Sequence, residues 1–293
     1  MTHLVSTRSG RLLEVWEYGD PTGHPALFFH GLIGSHHQAS YIAEEARRWG
    51  LRIIAPNRPG VGRSEFVARA SPLEAVADVE DLARILNLER FSVIGISGGT
   101  PYALATLYRL SSRIVTTTIL SGMGPMRLRG ALQGMDARRK LFLLLGSRLP
   151  RIARKGFEKA SARFQSNPRK FLERLVRTWS TPDQELFARP EVFNLFLRDL
   201  QEVFITGTGP QTLSQELVLY ANYGFRLEDL PNHHPIILWH GLTDPIVPPA
   251  MAWEVVRRLP RREAHLVEGG HFVAITIAPR ITRRLREQLD EHA

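Results

Sequence analysis

Cysteine is absent from the 293 residues. That excludes disulfides, thiolate nucleophiles and cysteine-ligated zinc, while leaving the compartment open. Long apolar runs are missing as well. None exceeds five residues, as in Leu141 to Leu145, far short of the roughly 20 residues a membrane-spanning helix needs. The opening Met1-Thr2-His3-Leu4-Val5 has no basic segment leading into an apolar one, so no secretory leader is read and a soluble, cytoplasmic chain is expected. Internal repeats and low-complexity tracts are also lacking. Acidic residues are in short supply, with 29 Asp and Glu against 38 Lys and Arg, a formal net charge of +9.

The basic excess is local. Between Arg127 and Arg177 stand fifteen arginines and lysines, opposed only by Asp136, Glu158 and Glu173. No nucleic-acid motif accompanies them, so nucleic acid is not an expected partner, and solvated helix faces are the first reading. An anionic ligand or a membrane surface is the alternative. Elsewhere the composition, 43% hydrophobic and 23% charged, is that of a globular protein with ample material for a core.

The chain alternates strand-like and helix-like segments. Arg11–Tyr18, Ala26–Phe29, Leu51–Ala55, Phe91–Ile96, Ile114–Leu120, Pro235–Trp239 and Glu263–Val267 read as strands. Between them Ala39–Trp49, the segment from Ser71 to about Leu88, Tyr102–Tyr108, Pro248–Leu259 and Pro279–Glu291 read as helices, the second with Ser71 as N-cap and Glu74 closing a capping box. Such alternation argues for a mostly parallel, doubly wound α/β sheet with helices on both faces. The rhythm breaks after Gly124. From there to residue 230 strand signals vanish and aromatic-rich helical segments take over. The expected organisation is a core of residues 1–124 and 231–293 carrying an all-helical cap of residues 125–230. Inserted at the C-terminal end of a strand, the cap should lie over the edge where such sheets bind ligands.

One strand breaks into Gly95-Ile96-Ser97-Gly98-Gly99 before the next helix. A serine at the apex of a sharp strand-to-helix turn needs small neighbours, and it becomes a nucleophile only with a histidine base and a carboxylate to hold that base. Two later strand ends supply them in order: Asp244 in His240-Gly241-Leu242-Thr243-Asp244-Pro245, then His271 in Gly269-Gly270-His271-Phe272. The backbone N–H of Gly98 and that of Leu32, after His30-Gly31, are the candidates to hold a developing oxyanion. His30 is expected to brace its loop by hydrogen bonding. His36-His37 and His233-His234 lack a surrounding carboxylate framework, so no metal site is expected, and no cofactor is implied.

These motifs, with Arg58-Pro59-Gly60-Val61-Gly62-Arg63-Ser64 and Asp244-Pro245-Ile246-Val247-Pro248, make the chain resemble the α/β-hydrolase fold superfamily over essentially its full length. The resemblance implies Ser97, Asp244 and His271 as a catalytic triad. Some members place the acid one strand earlier, where this chain has Ser121-Gly122-Met123-Gly124 and no carboxylate. Asn57 departs from the aspartate many relatives carry. The implied activity is that of a serine hydrolase on an ester, thioester or related acyl bond of a small, partly apolar substrate. C–C hydrolysis, perhydrolysis, acyl transfer or a receptor with little turnover would use the same residues. Oligomeric state, substrate identity and pathway have no signature here.

Overall fold

The computed structural model describes residues 1–233 and 235–291. The apolar runs become strands β2 (Leu12–Gly19) to β8, preceded by β1 (Thr2–Ser6): β3 (His24–Phe29), β4 (Leu51–Pro56), β5 (Phe91–Ile96), β6 (Ile114–Leu120), β7 (Ile236–Gly241) and β8 (Arg262–Val267). They form one sheet in the order β1-β2-β4-β3-β5-β6-β7-β8. β1 and β2 are antiparallel to their neighbours, and β4, β3 and β5 to β8 run parallel. Every residue of β5, β6 and β7 is buried, as strands covered on both faces must be.

Helices α1 (Ala43–Arg48), α2 (Val76–Ile85) and α3 (Thr100–Arg109) fall among the first six strands. Between β6 and β7 come α4 (Ala137–Arg148), α5 (Pro150–Ser166), α6 (Pro168–Val176), α7 (Thr181–Phe187), α8 (Pro190–Gln201) and α9 (Gly209–Ala221). α10 (Pro249–Val256), α11 (Val273–Thr276) and α12 (Ala278–Glu291) complete the chain. Proline in the first turn of each of α5 to α9 punctuates the insertion, because that position needs no N–H and suits a fixed φ. One apolar cluster, with Leu82, Leu104 and Val255, packs on one face of the sheet, and another, with Ala46, Ile281 and Leu285, on the other. A third joins the aromatics of the insertion to Met123, Val247 and Phe272 at the C-terminal edge of the sheet.

Three local details differ from the sequence reading. The sequence pattern does not predict β1, a short, half-exposed edge strand whose partner, not its own pattern, makes it extended. The first helix begins as a 3₁₀ turn, His36–Ile42, with Ser35 Oγ accepting from the His37 N–H at 3.2 Å. The capping box at Ser71 does not form. Ser71 makes no side-chain cap bond, and Glu74 instead accepts from the N–H of Ala70.

Candidate active site

The loops after β3, β5, β7 and β8 leave the same edge of the sheet, so Leu32, Ser97, Asp244 and His271 converge there. Ser97 has φ +50°, a left-handed conformation that costs a non-glycine residue about 1–3 kcal/mol. The turn is tight enough to require its glycines. A Cβ on Gly99 would lie 1.9 Å from the Phe29 carbonyl oxygen, and one on Gly98 2.0 Å from the Tyr220 hydroxyl.

His271 bridges the other two side chains. Its Nε2 lies 3.0 Å from Ser97 Oγ and its Nδ1 2.7 Å from Asp244 Oδ2. The second oxygen of Asp244 accepts from the N–H groups of Ile246 and Val247 at 2.8 and 2.9 Å. With the carboxylate so held, Nδ1 carries the imidazole proton and Nε2 is left to accept from Ser97. Burial pulls the His271 pKa down, but the charge and hydrogen bond of Asp244, helped by the charge of Asp183, outweigh it, and the net shift is upward from 6.5.

The two peptide units proposed as oxyanion donors are aimed from behind. In a trans peptide the C=O and N–H point opposite ways. Arg58 Nη2 donates to the Gly31 carbonyl at 2.6 Å, which fixes the Gly31–Leu32 peptide and so the Leu32 N–H. The Met123 N–H donates to the Ser97 carbonyl at 3.0 Å, which fixes the Gly98 N–H in the same manner. Leu32 N and Gly98 are neighbours: the Cβ position of Gly98 is 2.9 Å from that nitrogen. Gln38 Oε1 accepts from Gly31 N–H at 2.7 Å, and His30 Nε2 accepts from Arg58 N–H at 3.1 Å, so His30 does brace the loop.

Several partners had no signal in the sequence. Asp183, on α7 of the insertion, accepts from the N–H groups of His271 and Phe272 at 2.8 and 3.0 Å and from Ser180 Oγ at 2.8 Å. A Cβ on Gly270 would sit 2.1 Å from its carboxylate, so the second glycine before His271 makes room for Asp183. Arg58 pairs through Nη1 with Glu216 on α9 at 2.8 Å, both 3% exposed, and Tyr102 donates to the same carboxylate at 2.6 Å. Asn57 is buried. It accepts from the His36 N–H at 2.7 Å and donates to Glu14 at 2.8 Å, an amide's two-way role that a carboxylate could not fill.

A cavity of about 220 Å³ opens on Ser97 and His271, walled by apolar side chains that include Leu32, Phe157, Trp179 and Phe196. Among the described residues Arg139 is the one basic side chain on that wall other than the imidazole of His271. The expectation about His36-His37 needs amending, because Glu202 of the insertion brings its carboxylate within 4.8 Å of both rings. His36 is nonetheless stacked on Trp16 at 4.1 Å with Nδ1 2.6 Å from the Tyr18 hydroxyl, so aromatic packing accounts for its placement. Of the second pair, His234 lies outside the described residues.

Comparison with known proteins bears on the fold. A family model described as alpha/beta hydrolase fold matches residues 25–276. Among solved structures, an esterase from Exiguobacterium antarcticum superposes with a TM-score of 0.71 at 15% identity, over 99% of this chain and 100% of that one. A bromoperoxidase from Bacillus anthracis gives 0.74 at 18% identity over 99% and 100%. The epoxide hydrolase CorEH gives 0.69 at 19% identity over 100% and 99%. Identities this low speak to architecture and not to substrate.

Proposed function

Since the chain belongs to the alpha/beta hydrolase fold family, we propose that it is a serine hydrolase cleaving a carboxylic ester, thioester or related acyl bond. The observation that carries this reading is the relay from Ser97 through His271 to Asp244, at 3.0 and 2.7 Å. Ser97 Oγ attacks the substrate carbonyl carbon as its proton passes to His271 Nε2. Asp244 holds the imidazole in the accepting tautomer and stabilises the imidazolium. The N–H groups of Leu32 and Gly98 take the developing oxyanion. Collapse breaks the bond to the leaving group, which recovers the proton from His271. Water, deprotonated by the same nitrogen, then attacks the acyl-enzyme and releases the acid and free Ser97.

Residues 125–230 act in this scheme as a cap over a core of 1–124 and 231–293. The apolar wall of the cavity suits an apolar acyl or ring-bearing substrate. Serine rather than aspartate at the elbow sets this chain apart from hydrolases that form an alkyl-enzyme ester on a carboxylate, an argument against epoxide opening here.

The test is covalent labelling with a fluorophosphonate alongside turnover of p-nitrophenyl esters of increasing chain length. Labelling of the native protein but not of Ser97→Ala, with turnover lost in that variant, is the expected result. Absence of both labelling and turnover across the series would sink the proposal.

A further inference from the structure

Fourteen of the fifteen basic residues between Arg127 and Arg177 are exposed, with only Arg139 turned partly inward. They share their surface with side chains that normally avoid water. Large hydrophobic residues more than a third exposed are few among the described residues, and five of them fall within twelve positions: Leu141 (57%), Phe142 (39%), Leu145 (45%), Leu149 (47%) and Ile152 (64%). Leu141 and Leu145 lie one turn apart on α4. Leu149 occupies the joint between helices, and Ile152 is in the first turn of α5. A concentrated apolar patch on a soluble fold marks a contact surface. This one is flanked by Arg138, Lys140, Arg148, Arg151, Arg154 and Lys155, with Glu158 the single acidic residue in α4 and α5. Phe142 belongs to the patch and also lines the cavity above Ser97.

We propose that the α4–α5 face of the insertion docks on an anionic lipid surface, with the cavity mouth at the contact. Leucine, phenylalanine and isoleucine seat in the acyl boundary while arginine and lysine meet the headgroups, the pattern of an interfacial helix. The charge settles which occupant fits. A second copy of the chain would oppose one strongly basic face to another. A nucleic acid would satisfy the cations but leave the aliphatic centre without a partner. Among the described residues no helix is long and apolar enough to cross a membrane.

The test is co-sedimentation of the full chain with vesicles of phosphatidylcholine alone and of phosphatidylcholine with about a third phosphatidylglycerol. Binding to the anionic vesicles at least tenfold above the neutral ones, weakened at high salt, is the expected result. Leu141→Ser/Leu145→Ser/Ile152→Ser and Arg148→Glu/Arg151→Glu/Lys155→Glu should each lose most of that binding while keeping the native melting temperature. Ser97→Ala should bind like the native chain, so docking and hydrolysis can fail independently. The inference is overturned by equal binding to both vesicle types, by variants that bind as well as the native chain, by a concentration-dependent dimer abolished by the serine variant, or by binding to duplex DNA without binding to vesicles.

Discussion

His271 is the residue through which pH should act. In the proposed mechanism it must be neutral to act as a base, and Asp244 and Asp183 together outweigh the effect of burial, shifting its pKa upward from 6.5. The acid limb of kcat/KM on a neutral ester should therefore have its midpoint above the ordinary imidazole value, activity falling as pH drops through it. The same shift contributes stability that is complete at low pH and is lost as pH rises through the folded-state value, because the protonated form is the one favoured. A pH–rate profile whose limb lies below 6.5 would contradict this.

At the scale of elements, α7 reaches across to the loop that carries His271. One carboxylate taking two successive N–H groups holds the His271–Phe272 backbone, and the ring of Phe272 is clasped by Trp179 at 4.6 Å and Phe187 at 4.7 Å. Asp183→Asn removes the charge and can satisfy only part of that set. It should lower kcat by about tenfold, in line with the sensitivity of catalysis to small misplacements, and leave KM little changed. It should also move the acid limb to lower pH, because the anion that helps raise His271 is gone. A purely structural role would lower the melting temperature without moving the limb, so the profile distinguishes the two.

For the whole molecule, the buried Arg58–Glu216 pair joins the sheet's loops to the insertion. Arg58 touches the carbonyls of Gly31 and Gly98 and meets Glu216 of α9. Glu216→Leu strands a buried guanidinium and should cost about 3–5 kcal/mol in denaturant unfolding. Arg58→Met/Glu216→Leu should recover most of that stability, since two apolar groups can replace a buried pair. Ester turnover should stay low in the double variant, because the Gly31–Leu32 peptide then loses the 2.6 Å Arg58 bond and keeps only the longer one from His30 Nδ1 at 3.0 Å. Full recovery of both would show that the pair only supports packing.

Local pattern was enough to reveal the central strands, whose β-branched runs are buried on both faces, and the helical insertion, whose prolines and aromatics interrupt the α/β rhythm. It also offered Ser97, Asp244 and His271 as candidates, which the fold brings within hydrogen-bond distance of one another, since strand ends in a parallel sheet share one edge and chain order then limits the partners. β1 escaped because an edge strand owes its shape to its neighbour. Asp183, Glu216 and Gln38 escaped because a lone polar residue in a helix or turn looks solvated until the fold brings a distant backbone against it. Leu141 to Leu145 illustrates the converse: five consecutive apolar residues suggest core, yet only Leu143 among them is buried. Which side of a helix faces water is decided by what packs on it, and α4 rests on α9 and α5 with one side left open. Short-range periodicity carries the alternating α/β architecture, and motif spacing carries the chain order of the candidate residues Ser97, Asp244 and His271. The distances among those groups, their buried supports and the exposed basic-apolar face were decided by tertiary structure, because each joins residues that are far apart in the chain.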